Sequence, residues 1–228
     1  RTAPDMRHAL AKLPRYVATS IVAKHRIWVW RSVSVLASHA VGVVARSDDV
    51  TFGILHSRFH ELWALRMGTS LEDRPRYTPS TCFETFPFPA GFSPAETAHQ
   101  RTKLLKGGAR IPAEIQDSQV EAAAVDVAIA AHRLDSLRAA WLSPPEWTIR
   151  VPDVTPLGMR TSPYPDRVEP SPQLSSANLE ALQQRTLTKL YNQRPSWLVT
   201  VHRQLDKAVA HAYGWADYTP TMSDDEIL

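Results

Sequence analysis

Proline divides this chain more sharply than any other residue. Of 18 prolines in 228 residues, eight (Pro144, Pro145, Pro152, Pro156, Pro163, Pro165, Pro170 and Pro172) fall within residues 143–173. Each lacks a backbone N–H and clashes with a preceding helical turn, so this stretch is expected to cross the molecule as an extended strap. A second group, Pro75, Pro79, Pro87 and Pro89, breaks residues 69–89 into an extended loop, a short strand around Thr81 to Phe86 and a proline-rich exit. Regular elements must lie between these interruptions.

Upstream, Tyr16 to Val22 and Ile27 to Trp30 are rich in β-branched and aromatic residues. They read as two strands joined by the basic turn Lys24-His25-Arg26. Ala40 to Ala45 supplies a third strand, and Ser47-Asp48-Asp49 offers caps for the helix that follows. From Val50 to Met67, Phe52, Leu55, Phe59, Leu62, Trp63 and Met67 recur at threes and fours, predicting one helix stopped by Gly68. Residues 91–112 show no period, contain Gly107-Gly108 and read as a linker.

Asp117 to Leu142 is a long alanine-rich amphipathic helix with Val120, Ala124, Val127, Ala131, Leu134, Leu137 and Trp141 on one stripe. Two further helices are expected over Asn178 to Gln193 and Trp197 to Tyr213, separated by Pro195, the second closed by Gly214. Ser223-Asp224-Asp225-Glu226 begins another with a capping signature. The expected fold is therefore α+β: a small mixed α/β unit over residues 1–90, the linker 91–112, and a mostly helical domain over 113–228 crossed by the proline-rich strap. No internal repeat is visible.

Composition narrows the function classes. The single cysteine, Cys82, rules out an intrachain disulfide and a cysteine-ligated zinc site, which suits a reducing cytoplasm. The apolar run from Val120 to Ala131 is interrupted by Glu121 and Asp126, and no stretch reaches the roughly 20 residues a membrane helix needs. The chain opens Arg1-Thr2-Ala3-Pro4 without an initiator Met or a secretory pattern, so a longer polypeptide is expected. Charge is uneven: residues 1–90 carry 12 Lys and Arg against 7 Asp and Glu, residues 91–228 carry 14 against 16. Ten of the first twelve cations are arginines, the side chain suited to phosphate and guanine.

Catalytic signatures are missing. The sequence holds no Gly-rich nucleotide fingerprint, phosphate-binding loop or nucleophile elbow. It also lacks the glycine-rich bend and the Asn/Asp-Pro-Pro-aromatic loop of an amino-methylating enzyme. Ser143-Pro144-Pro145-Glu146-Trp147 imitates that loop but begins with a hydroxyl and follows a helix, so it reads as a helix stop. No catalytic, cofactor-binding or metal-ligating residue is assigned. His56 and His60 stand one turn apart beside Glu61, in an order that differs from zinc proteases; a structural or DNA-facing role is favoured over metal ligation. The stripe Trp197, Val201, Leu205, Val209, Tyr213 is assigned to core.

Leu71-Glu72-Asp73-Arg74-Pro75-Arg76-Tyr77 is the most suggestive segment. Pro75 favours an extended backbone, and there Glu72, Arg74 and Arg76 share one side. Glutamate accepts from cytosine N4 and arginine donates twice to guanine, so the trio suits a major groove. An ordinary surface ion-pair ladder is the competing reading.

Several motifs resemble one family. Arg15-Tyr16-Val17-Ala18, Lys24-His25-Arg26, Phe52-Gly53-Ile54-Leu55-His56-Ser57, His60-Glu61-Leu62-Trp63, Arg74-Pro75-Arg76-Tyr77 and Phe83-Glu84-Thr85-Phe86-Pro87-Phe88-Pro89 resemble the target-recognition domain of MmeI-like, type IIL DNA adenine-N6 methyltransferases of restriction-modification systems. Trp141-Leu142, Pro144-Pro145-Glu146-Trp147, Thr186-Leu187-Thr188, Leu190-Tyr191-Asn192, Leu205-Asp206 and Ala212-Tyr213-Gly214-Trp215 resemble the helical domain that follows it. Related single-chain methyltransferases of phage-defence systems share similar tails.

The resemblance implies a prokaryotic, cytoplasmic enzyme that uses S-adenosylmethionine in a methyltransferase domain upstream of these modules, with double-stranded DNA as partner. Glu72 and Arg74 then fall on one base pair beside the methylated adenine, and Arg76, with His39 and Ala40, on the base at its other side. Lys24 and Arg26 are the further candidates for DNA contact. A helical protein-interaction or oligomerisation module without direct DNA readout is the alternative.

Overall fold

The protein is described by a computed structural model over residues 4–71, 74–98 and 101–228. Helix α1 (Pro4–Leu10) precedes strands β1 (Arg15–Ser20), β2 (Val29–Ser32) and β3 (Val41–Val44), which form an antiparallel sheet in the order β2-β1-β3. Central β1 is buried without alternation from Tyr16 to Thr19, because both of its faces are covered. Val17 points into the main core, whereas Tyr16 and Ala18 meet Leu10 of α1 on the other side.

Asp48 caps the next helix by accepting from the Thr51 amide at 2.7 Å. The single helix expected over Val50 to Met67 is two, α2 (Asp49–His56) and α3 (Arg58–Met67). They part at Ser57, whose extended backbone (φ −69°, ψ 156°) closes the first and caps the second. Its hydroxyl donates to Ile54 O at 2.6 Å, a local competitor for helical bonding. The Arg58 amide donates to Asp206 Oδ1 at 2.8 Å, so a carboxylate from a distant helix satisfies the new N-terminus.

Strands β4 (Thr69–Leu71) and β5 (Arg74–Arg76) follow as a hairpin. The strand expected around Thr81 to Phe86 is instead a helical turn, α4 (Pro79–Cys82), and a further turn; Pro79 at the first helical position presets that conformation. The stretch read as a linker contains α5 (Pro94–Thr97) and a hairpin of β6 (Thr102–Leu104) and β7 (Arg110–Pro112). Ala109 and Ile111 of that hairpin are buried in the main core.

Helix α6 (Ser118–Leu142) starts at an Asp117 cap, as the periodicity predicts. Its alanines let a neighbour approach closely: a Cβ built on Gly53 of α2 would stand 2.9 Å from both Ala131 Cβ and Val127 Cγ1. The proline-rich strap pairs with itself through β8 (Thr148–Val151) and β9 (Arg167–Pro170). The helix expected over Asn178 to Gln193 is also two, α7 (Ser176–Gln183) and α8 (Leu187–Gln193), because Thr186 recaps the chain by accepting from the Lys189 amide. Helix α9 (Ser196–Ala212) packs on α6, and Ser223 opens α10 (Asp224–Ile227) with a capping box. The architecture is thus a mixed α/β first part followed by a largely helical second part. One continuous cluster of buried side chains runs from Val17 to Ala210, each large one contributing about 1.5–3 kcal/mol by leaving water.

Candidate nucleic-acid interface

The β4–β5 hairpin is held on three sides. At its base, a Cβ on Gly68 would lie 2.5 Å from Ala64 O and 2.8 Å from Arg76 O, so only glycine lets α3 run into the hairpin this tightly. Along one edge, the loop between β1 and β2 pairs with β5 at Val22 and Arg76. The Ala23 amide donates to Pro75 O at 3.4 Å and the Tyr77 amide to Ile21 O at 2.8 Å. Ile21 also donates to Ala40 O at 2.9 Å, joining the turn that carries His39 to the same edge.

Behind the hairpin, Tyr77 is buried edge-on against Trp28 at 5.2 Å. Its hydroxyl lies 3.2 Å from His60 Nε2. Since His60 Nδ1 faces Leu55 O at 3.1 Å and must donate there, Nε2 is the acceptor for the Tyr77 hydroxyl.

On this support Arg74 and Arg76 are both exposed, on one side of β5 and flanking Pro75. Glu72 lies outside the described residues. His39 is exposed in the turn before β3. Lys24 is exposed, and its ammonium donates to Asn192 Oδ1 on α8 at 2.9 Å. Arg26 is half-buried: it donates to Thr19 Oγ1 at 3.2 Å, to Ser20 O and to Pro75 O at 3.3 Å, and lies 5.0 Å over the Tyr77 ring. Burial lowers its pKa from the ordinary arginine value. The loop containing Lys24 and Arg26, the His39 turn and the two β5 arginines therefore share one end of the sheet, with Arg26 bracing the hairpin from within.

His56 and His60 sit beneath this surface, fully enclosed. His56 Nε2 accepts from the Trp28 amide at 3.2 Å and from Arg138 Nη1 at 2.7 Å, which leaves its proton on Nδ1. Burial, and then the Arg138 charge, hold its pKa well below the ordinary histidine value; burial takes His60 down to about 3. Both are neutral structural imidazoles. Among the described residues no group of three His, Cys, Asp or Glu side chains is placed to hold a metal ion.

Arg138 is a residue that sequence periodicity does not single out. It is 2% exposed, and its guanidinium ties α6 to α2, α8 and the loop between β1 and β2 by donating to His56, to Tyr191 Oη at 3.3 Å and to Trp28 O at 3.0 Å, besides Asp135 Oδ1 on its own helix at 3.0 Å. Tyr191 Oη in turn lies 3.0 Å from His202 Nε2, and burial depresses His202 to about 3 as well. The pairing of Asn192 with Lys24 is likewise invisible in the sequence: 168 residues separate the two, and no local pattern announces the pair.

The hairpin, its supporting loop and the His39 turn fall inside a stretch, residues 18–90, that matches the family model described as MmeI, target recognition domain. As a whole, the fold is similar to a solved structure of the type IIL restriction-modification enzyme MmeI in complex with DNA, with a TM-score of 0.55 and 18% identity over 93% of this chain. The likeness covers 20% of that protein, so this chain spans about a fifth of its length. No curated protein sequence matches. No helix among the described residues is long and apolar enough to cross a membrane.

Proposed function

We propose that this chain reads the sequence of duplex DNA as the recognition and helical part of an adenine-N6 methyltransferase of a restriction-modification system. Residues 1–90 form the reading unit, 91–112 connect it, and 113–228 brace it. The observation that carries this reading is the exposure of Arg74 and Arg76 on a hairpin braced from three sides, inside the stretch that matches a target-recognition family. A rigid platform matters because base readout requires donors fixed against groove edges. Arg74 pairs with guanine while Glu72 accepts from its cytosine, Arg76 and His39 read the other side of the target adenine, and Lys24 meets phosphate.

Methyl transfer belongs to a domain upstream of these residues, which flips the adenine while this part holds the site. S-adenosylmethionine does not fit the residues present: the sequence has no glycine-rich bend to receive it. The test is Glu72→Lys with Arg74→Asp in the intact enzyme. The pair should change the preferred base pair and leave activity on a new site; a uniform loss on every sequence would reduce these residues to backbone contacts.

One observation favours a protein contact elsewhere. Val154, Leu157 and Met159, on the loop between β8 and β9, are 68%, 106% and 55% exposed and give the helical half an apolar tip. A dimer in light scattering that persists at high salt and ignores DNA would favour that reading over DNA recognition.

A further inference from the structure

The α8–α9 corner is linked to the hairpin surface, although 118 residues separate Arg194 from Arg76 (194 less 76). Their connection runs through the loop between β1 and β2. At one end Val22 pairs with Arg76, and Ala23 and Arg26 both donate to Pro75 O. At the other end Lys24 Nζ and His25 Nε2 converge on Asn192 Oδ1, each at 2.9 Å. The His25 ring also lies 5.9 Å from that of Tyr191. Asn192 is exposed, and with its carbonyl oxygen occupied its amide N–H₂ is left to donate outward.

Arg194, two residues on, has the one positive φ outside glycine among the described residues (φ 43°, ψ 59°). That conformation ordinarily selects glycine or asparagine at a helix end, and Pro195 restricts the position further. A long cation kept where glycine fits better points to use of the side chain. Arg194 is exposed; its amide donates to Leu190 O at 2.9 Å, and its guanidinium makes no hydrogen bond or ion pair among the described residues.

Three carboxylates lie near this charge. Glu61 is surrounded by Arg194, His25 and Arg26, and burial raises its pKa above the ordinary glutamate value. Asp206 is taken up to about 7, chiefly by burial. Asp224 is paired with Arg58 at 2.6 Å. Among the described residues Lys24 is bonded to a neutral amide, Asn192 Oδ1. The surface from Arg76 across Lys24 to Arg194 thus presents three exposed cations, with the Asn192 amide between Lys24 and Arg194.

We infer that the α8–α9 corner is a second DNA contact, in which Arg194 and Asn192 bind the sugar-phosphate backbone beside Lys24, continuous with the surface of β5. It rests on the DNA-reading proposal and deepens it, because it makes part of the helical half a participant in binding. Contacts of this kind set register and affinity without choosing sequence.

Glycine adopts the Arg194 backbone freely, so Arg194→Gly removes the charge while leaving the corner unstrained. The 228-residue chain and its variants are titrated against labelled duplexes of several sequences by fluorescence anisotropy across a salt series. For Arg194→Gly, log K should depend on log [salt] with a slope shallower by about 0.9. At 0.1 M salt that corresponds to binding about eightfold weaker, equally on every duplex, if the contact vanishes near 1 M.

The melting temperature should be unchanged or higher, and Arg194→Lys should restore most of the slope. Wild-type binding that Arg194→Gly leaves untouched in affinity and slope overturns the inference and spares the DNA reading. So does a lysine variant as weak as the glycine one, since charge would then not be what matters. A wild-type chain that binds no duplex even at about 0.05 M salt removes the DNA reading itself, and this contact with it.

Discussion

Arg74 and Arg76 on β5 and Arg138 on α6 carry the same side chain into opposite surroundings. The first two stand in solvent on a braced hairpin, whereas Arg138 is 2% exposed and donates to four partners. Arg15 and Arg26 lie between these extremes. Arg15 pairs with buried Asp49 at 2.9 Å and covers the Trp30 ring at 3.6 Å, and Arg26 holds Pro75 O. An arginine-rich sequence is therefore a poor measure of a basic surface. Cations buried among protein acceptors shape it, and those exposed on its surface are within reach of a polyanion.

The comparison is broken most directly at Arg138. Arg138→Ala takes from Trp28 O its guanidinium donor and from His56 Nε2 the shorter of its two hydrogen bonds, and should cost about 3–5 kcal/mol in urea denaturation. A loss below about 1 kcal/mol would mean that the four contacts are incidental to stability.

Acid sharpens the contrast more gently. His60 and His202 are held near 3 in the folded protein, against an ordinary histidine value of 6.5. The unfolded chain therefore binds protons that the folded one refuses, and stability present above 6.5 should decline as pH falls from 6.5 toward 3. Asp206 works in the other direction: its folded value of about 7 lies above the ordinary 3.8, so its contribution is complete below 3.8 and is lost as pH rises through 7. Melting temperatures of wild type and Asp206→Asn between pH 4 and 8 separate the two. Wild type should decline toward acid, and the variant should lose the alkaline decline that Asp206 causes. A melting temperature that stays flat below pH 6 would contradict the neutral histidines.

The smallest effect on stability is expected at the hairpin. Arg76→Ala should shift unfolding by no more than about 0.5 kcal/mol, since the side chain is exposed, while weakening duplex binding. Destabilisation comparable to Arg138→Ala would place Arg76 among the structural arginines instead.

Much of the framework follows from local chemistry. A long apolar period closed by Asp117 and Ser143-Pro144 specifies α6, β-branched runs specify β1 and β3, and Ser223 with Glu226 specifies the cap of α10. Pro75 likewise makes the backbone around Arg74 and Arg76 extended, so the exposed cations of the candidate site were legible from composition and spacing. These features depend on neighbours within a turn or two, where propensity and capping act.

The remaining features came from partners distant in the chain. Val50 to Met67 has an unbroken helical period, yet it divides at Ser57, where Asp206 of α9 receives the Arg58 amide. Residues 91–112 have too few apolar positions to show a strand period, but Ile111 becomes fully buried once α2 and α6 enclose it. His56 looks like half of a surface pair until Arg138 reaches it across 82 residues, and Lys24 meets Asn192 across 168. Loop closure over such separations is opposed by entropy and repaid only when the whole core assembles. For that reason the buried arginine network and the α8–α9 corner exist only in the folded chain.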